Sequence, residues 1–327
     1  MTTCLRPSRV VVLVTSLLVA TSLVRGSAAT TQKTGSHDSS RPRAPLAELW
    51  SAPPAGRDLF FGPGGRRLQP DPRQLFTVTE IKANGFSKGY IVVDESKREW
   101  SAKFPPEGPP EVVASRILWG IGYHQPPVYL LSGWRASGAT EPNPQQPARF
   151  REKAPAFHGI DDKGDWSYDD NPFVDSRPLR GLLVLQAMLG NSDLKAQQNA
   201  IYELDTPVEG ARRWFVVRDL GQTFGRTGRF DPPRGDIEAF EQTPFIRGVE
   251  GTRVTLEYHG RHAELFEHIT VTDVQWICQR LARLTDRQWH DAFRAGGYER
   301  PLADRFIKRF KAKIAEGLAL RPKGRAS

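Results

Sequence analysis

Residues 189–199 read Leu-Gly-Asn-Ser-Asp-Leu-Lys-Ala-Gln-Gln-Asn and place Asp193, Lys195, Gln198 and Asn199 close together. About twenty residues on, Asp219-Leu220-Gly221 follows a second apolar run, Trp214-Phe215-Val216-Val217. Phosphoryl transfer to a hydroxyl uses such groups in this order. One carboxylate orients the attacking hydroxyl, an amide and a second carboxylate hold a metal, and the metal neutralises phosphate charge. Each residue taken singly has a plainer role: Asp193 as a solvated carboxylate, Lys195 as a surface charge, Asn199 as a turn cap. The combination is what points to chemistry.

The elements that must carry these groups are legible in outline. An apolar helix over 178–188 leads into the first loop, and short strands at 200–202 and 214–218 frame the second. Upstream, 76–82, 90–94 and 99–104 alternate in hydropathy and form an antiparallel meander. The turn between the first two strands holds Gly85 and Gly89. Glycine lets backbone amides approach a phosphate, although most glycine hairpins are only hairpins. Lys103 lies on the third strand among Trp100, Ala102 and Phe104, so it faces solvent or reaches into a site. A helix over 111–119 follows, with Glu111 in its first turn. There a carboxylate either complements the helix dipole or pairs with Lys103. A further strand is expected over 126–131.

Residues 135–178 are polar and rich in Pro, Gly and Asp, as an insertion joining two lobes would be. The acids from Asp161 to Asp170 do not match calcium-loop spacing and lack its closing Glu. After Gly221 comes a basic, glycine-bearing run to Arg229, then a short helix near 237–241 and a strand over 254–258. Three helices close the chain at 272–284, 286–295 and 302–318. The basic residues of the last one (Arg305, Lys308, Arg309, Lys311, Lys313) are expected on a solvated face. His259, His262 and His268 lack paired-ligand spacing, and neither Gly-x-Ser-x-Gly nor His-Glu-x-x-His occurs.

The net charge of +9 suits an anionic partner such as nucleotide phosphate, acidic glycan or lipid headgroup, or simply a solvated basic surface. No nucleic-acid partner is expected. Arg6 and Arg9, the apolar run 10–24 and the small residues to Ala29 read as a secretory signal cleaved near Ala29. The protein would then be exported, periplasmic or secreted, and would touch a membrane only through an uncleaved signal. Removing the three arginines of residues 1–29 lowers the +9 to +6. Residues 30–72 read as a disordered or loosely attached leader. Of the two cysteines, Cys4 leaves with the signal and Cys278 remains as a buried structural thiol.

Taken together, Gly85, Gly89, Lys103, Glu111, Asp193-Leu194-Lys195 to Asn199 and Asp219-Leu220-Gly221 resemble the atypical kinase fold. That group includes the HipA-type, phosphatidylinositol and secretory-pathway kinases, and the chain is similar to an exported bacterial branch. The resemblance spans residues 76–320. It implies an α+β, two-lobed kinase-like fold: a small antiparallel-sheet N-lobe over 73–134 and a mainly helical C-lobe over 135–320, with the polar insertion at 135–178. It also implies ATP and Mg2+ or Mn2+ as cofactors, and an unknown protein or small-molecule acceptor. Gly85, Gly89, Lys103 and Glu111 would bind the nucleotide, Asp193 would act as base, and Lys195 would steady the transferred phosphoryl. Asn199 and Asp219 would bind metal. The usual loop Asn falls at Gln198 here, one residue before Asn199, so Gln198 is the other candidate ligand, unless the loop bulges or metal binding is impaired. The expected function is an exported, metal-dependent phosphotransferase. Its rivals are an inactive pseudokinase and a basic cell-envelope binding protein.

Overall fold

In the computed structural model, which describes residues 45–153, 161–228, 230 and 232–324, the meander is β1 (Leu75–Lys82), β2 (Gly89–Val93) and β3 (Glu99–Lys103). On β3, Trp100 and Ala102 are buried on one face while Glu99, Ser101 and Lys103 share the other. Proline follows β3, and α1 (Gly108–Gly120) begins with Pro109 and Pro110 in its first turn, where the missing amide protons cost nothing. Next come β4 (Val128–Leu131), β5 (Arg135–Ser137) and β6 (Ala148–Glu152). They complete a six-stranded sheet of order β4-β6-β3-β2-β1-β5. Its pairs are antiparallel except β1 with β5, which run parallel. Phe76, Tyr90, Trp100, Trp134 and Phe150 pack together on the face away from Lys103.

The second half begins with the two-residue strand β7 (Asp161–Asp162) and α2 (Arg177–Leu189). Ser176 caps the start of α2, and Gly190, at φ 76°, ends it in the left-handed conformation that glycine adopts without strain. The hairpin β8 (Asn199–Val208) and β9 (Ala211–Val217) pairs with β7. Then follow α3 (Ile237–Gln242), the hairpin β10 (Ile246–Glu250) and β11 (Arg253–Leu256), α4 (Val271–Leu281), α5 (Asp286–Ala295) and α6 (Arg300–Ala319). Thr270 with Asp273 and Thr285 with Gln288 form capping boxes that start α4 and α5. Phe224, Phe240, Phe293, Phe306 and Phe310 make a ring-on-ring centre for this half. The architecture is α+β, with a curled sheet followed by a mainly helical region.

Several expectations need correction. The stretch read as a loose leader is packed from residue 45 on, because Leu49, Leu59 and Leu68 are buried and Trp50 bridges Tyr123. Sparse apolar residues at wide spacing were enough to anchor it. Residues 1–44, including the expected signal and its cleavage site, lie outside the described residues. The polar insertion is not one unit either: its first part supplies β5 and β6 to the sheet, so the sheet-bearing half extends to residue 152 rather than 134. Lys313 is 1 % exposed instead of solvated. Its Nζ donates to the Met188 carbonyl at 2.9 Å and lies 3.8 Å from the Phe240 ring centre. Cys278 is buried as expected, and burial pushes its thiol up to about 12. Among the described residues no helix is long and apolar enough to cross a membrane.

Candidate functional site

Cross-strand register sets the roof of a cleft. Lys103 of β3 stands opposite Arg149 of β6, and Ser101 opposite Arg151, so the three cations share the sheet face that looks toward α1. Glu111, in the first turn of α1, is fully buried among them. Its carboxylate meets Lys103 Nζ at 3.2 Å, Arg149 Nε at 3.0 Å and Arg151 Nη1 at 3.3 Å. A buried carboxylate is tolerable only with such pairing. Arg149 is fully buried as well; burial pushes its guanidinium down, and Glu111 pulls it back.

The floor comes from the β8–β9 hairpin. Asn199 pairs with Val217, and the Gln198 carbonyl, one step before the ladder, accepts from the Arg218 and Asp219 amides at 2.8 and 3.3 Å. This closure brings Asp219 beside the 193–198 loop. Lys103 Nζ crosses from the roof to Asp219 Oδ1 at 2.5 Å, with Glu107 at 3.6 Å. Burial alone would push the Asp219 carboxyl up, but Lys103, with Arg151 and Arg149 behind it, holds it at about 2. Burial would likewise lower the Lys103 ammonium, and Glu111 and Asp219 raise it instead.

Asp193 lies in the same cleft. Lys195 Nζ is 3.0 Å from its carboxylate and Gln198 Nε2 is 2.5 Å away. Gln198 Oε1 is buried without a hydrogen-bond partner. Asn199 does not line the cleft: it is 1 % exposed, and its Nδ2 donates to the Trp166 carbonyl at 2.7 Å. The loop does not bulge to admit it, because strand pairing with Val217 fixes its side chain on the core side. Of the two candidate ligands, the structure puts Gln198 at the cleft.

Gly85 and Gly89 both border the cleft, for different reasons. Gly85, at φ 104°, takes the tip of the hairpin. At Gly89 a Cβ would lie 2.2 Å from the Ala102 carbonyl oxygen, so close packing against β3 accounts for that glycine. The tip is tied down: the Ser87 hydroxyl accepts from the Glu107 amide at 3.2 Å, and the Arg234 guanidinium stacks 3.3 Å from the Phe86 ring centre. Arg234 also pairs with Glu107 at 2.7 Å.

The enclosed space is about 630 Å³. Among the described residues, eight basic side chains line it against three carboxylates, which makes it a trap for anions rather than for an apolar ligand. Oxygen donors fit for a hard cation are present: the Asp219 carboxylate and the Gln198 side-chain oxygen at the cleft, with Asn199 Oδ1 also buried and partnerless behind it. No group of three or more His, Cys, Asp or Glu side chains converges among the described residues. A metal here would need phosphate oxygens to complete its shell, the usual habit of magnesium.

No family model matches this sequence. No curated protein matches it either. Among solved structures, the crystal structure of a Helicobacter pylori proinflammatory kinase, CtkA, aligns with 76% of this chain and 99% of its own, at 12% identity and a TM-score of 0.36.

The sequence reading missed Arg149, Arg151, Glu107, Arg234 and Arg261 as cleft residues. For Arg149 and Arg151 a signal existed, since Arg-Phe-Arg alternates and places both cations on one strand face. The others come from loops whose docking no local pattern encodes.

Proposed function

We propose that the protein is a kinase-like phosphotransferase that moves a phosphoryl group from a nucleoside triphosphate, ATP in the first instance, to a hydroxyl acceptor. The observation that carries this reading is the convergence of Lys103, Glu111, Asp219, Asp193 and Gln198 on one cation-rich cleft from separate elements.

The roles follow from chemistry. Lys103, steadied by Glu111, contacts the donor phosphates once Asp219 turns to other work. Asp219 and Gln198 Oε1 would hold Mg2+ or Mn2+, which supplies neutralisation of phosphate charge. Asp193 accepts the proton of the acceptor hydroxyl as the hydroxyl oxygen bonds to the γ-phosphorus; the bond to the β–γ bridging oxygen breaks, and the nucleoside diphosphate leaves. Lys195, beside Asp193, neutralises charge on the moving phosphoryl group. Export to the periplasm or beyond belongs to this proposal on the sequence of residues 1–29 alone.

A second reading, a fold kept for binding without catalysis, draws on one observation: the Asp219 carboxylate is already engaged by Lys103 at 2.5 Å. Calorimetric titration with ATP, with and without manganese, separates the two readings. Metal-dependent binding that Asp219→Ala abolishes is the expected result. If ATP fails to bind under every condition, the transferase reading falls and the binding-only reading stands.

A further inference from the structure

The segment after β11 is built against the loop that carries Asp193. The Arg261 amide donates to the Ser192 carbonyl at 3.0 Å, and the Tyr258 hydroxyl donates to the Arg261 carbonyl at 2.7 Å. Between them, Gly260 lies so close that a Cβ would stand 2.5 Å from Ser192 Cβ and 2.4 Å from the Tyr258 hydroxyl. A solvated surface arginine needs none of this. These contacts fix the Arg261 backbone beside the loop, and its guanidinium Nε sits 3.7 Å from Asp193 Oδ1 with the side chain 61 % exposed at the cleft.

Asp193 does not need this second cation. Lys195 already stands 3.0 Å from the carboxylate, and Gln198 donates to it at 2.5 Å. One carboxylate between an ammonium and a guanidinium leaves a net positive charge where the acceptor must enter. The two donors also differ in shape: a point charge on one side and a planar fork on the other, a pairing suited to the several oxygens of a phosphate.

We infer that Arg261 and Lys195 form an anion subsite for the acceptor, and that the acceptor is a hydroxyl compound already bearing a phosphate group a few bonds from the hydroxyl that is phosphorylated. The inference rests on the phosphotransferase reading for its use, but not for its binding chemistry. With that phosphate against Arg261 and Lys195, the neighbouring hydroxyl reaches Asp193, and the Lys195 ammonium is shared between this phosphate and the phosphoryl group being moved. Arg261 is then a specificity residue for the acceptor.

Two titrations keep the claims apart. ATP with manganese reports the donor site, and glycerol 3-phosphate against glycerol reports the acceptor subsite. Both are run on the full chain and on Arg261→Gln, which keeps the bulk and polarity of an exposed side chain. The expected result is that glycerol 3-phosphate binds and glycerol does not. In Arg261→Gln, binding of the ester weakens by roughly tenfold, as the loss of one charge-assisted hydrogen bond predicts, and by more than any fall in ATP affinity. An unchanged affinity of Arg261→Gln for the ester overturns the inference, as does equal binding of glycerol. Failure of ATP to bind removes the transferase reading yet leaves the subsite to be judged on the ester alone. Phosphatidylcholine vesicles with and without phosphatidylglycerol identify the source. Arg261-dependent retention on phosphatidylglycerol supports the subsite with a lipid headgroup as acceptor, and capture of the free ester supports it with a soluble one. The absence of both overturns it.

Discussion

Gln198 and Asn199 are chemically similar neighbours with opposite surroundings. Gln198 touches Asp193 and lines the cleft, whereas Asn199 donates to the Trp166 carbonyl inside the fold. Their alanine variants should therefore separate. Gln198→Ala should reduce the manganese dependence of ATP binding with little loss of stability, read by calorimetry. Asn199→Ala should leave the metal dependence in place and cost about 1–3 kcal/mol of stability in urea unfolding, since it strands a buried carbonyl. Lys103→Ala should weaken ATP binding by tenfold or more, on the order of one charge-assisted contact; retained affinity would remove Lys103 from the donor site. The Lys103–Asp219 pair also has a pH signature. The Asp219 carboxyl lies at about 2 against an ordinary 3.8, so its contribution is present above about pH 4 and is lost as the pH falls through 2. Lys103→Met should make the acid limb of the stability curve shallower than in wild type over that window.

At the scale of elements, α1 is a buried wedge rather than a surface helix. Eleven of its thirteen residues are buried, so Glu111 is held from every side. Val113, Ile117 and Leu118 belong to the same core as α2 and α4 to α6, while Val112 packs on Val128 of β4. The sheet and the helical half are thus joined through this helix, and the Lys103–Glu111 contact is set by packing rather than by the ion pair alone. The meander is equally tight at one point. Gly89→Ala should push β2 from β3 at the Ala102 carbonyl and cost about 1–3 kcal/mol, a typical overpacking loss, with the proposed ATP site displaced along with it. Thermal unfolding together with ATP titration checks both effects.

At the scale of the whole molecule, the helical half encloses a charge. Burial, with Arg309 nearby, pushes the Lys313 ammonium well down from its ordinary value, against the pull of Glu316, and the Met188 carbonyl and the Phe240 face meet it. A lysine with a lowered folded-state value costs stability in full below that value, and the cost shrinks as pH rises above it and is gone near the ordinary 10.5. Lys313→Met should raise unfolding stability at neutral pH by about 1–3 kcal/mol and narrow the difference from wild type in alkaline buffer, measured by urea unfolding at two pH values. The chain's surplus positive charge is likewise partly gathered in the assembled cleft, where cations from β1, β3, β6 and four loops come together.

The sequence alone determined the meander, the main helices and the Asp-bearing loops, because strand alternation and helix periodicity are local signals, and the α+β class followed from the resemblance that those residues carry. Lys103, Glu111, Asp193 and Asp219 were legible since each stands at a recognisable place in its own element. Tertiary structure decided what local pattern cannot encode. Pairing of Asn199 with Val217 turned one amide inward and left Gln198 at the cleft. Pairing of β3 with β6 added Arg149 and Arg151. Close packing of Gly260 on Ser192 delivered Arg261 to Asp193. Burial, too, was a global matter: Lys313 and the 45–72 segment carry surface-like composition and are nonetheless packed. Their surroundings come from residues far away in the chain, and only folding brings those together.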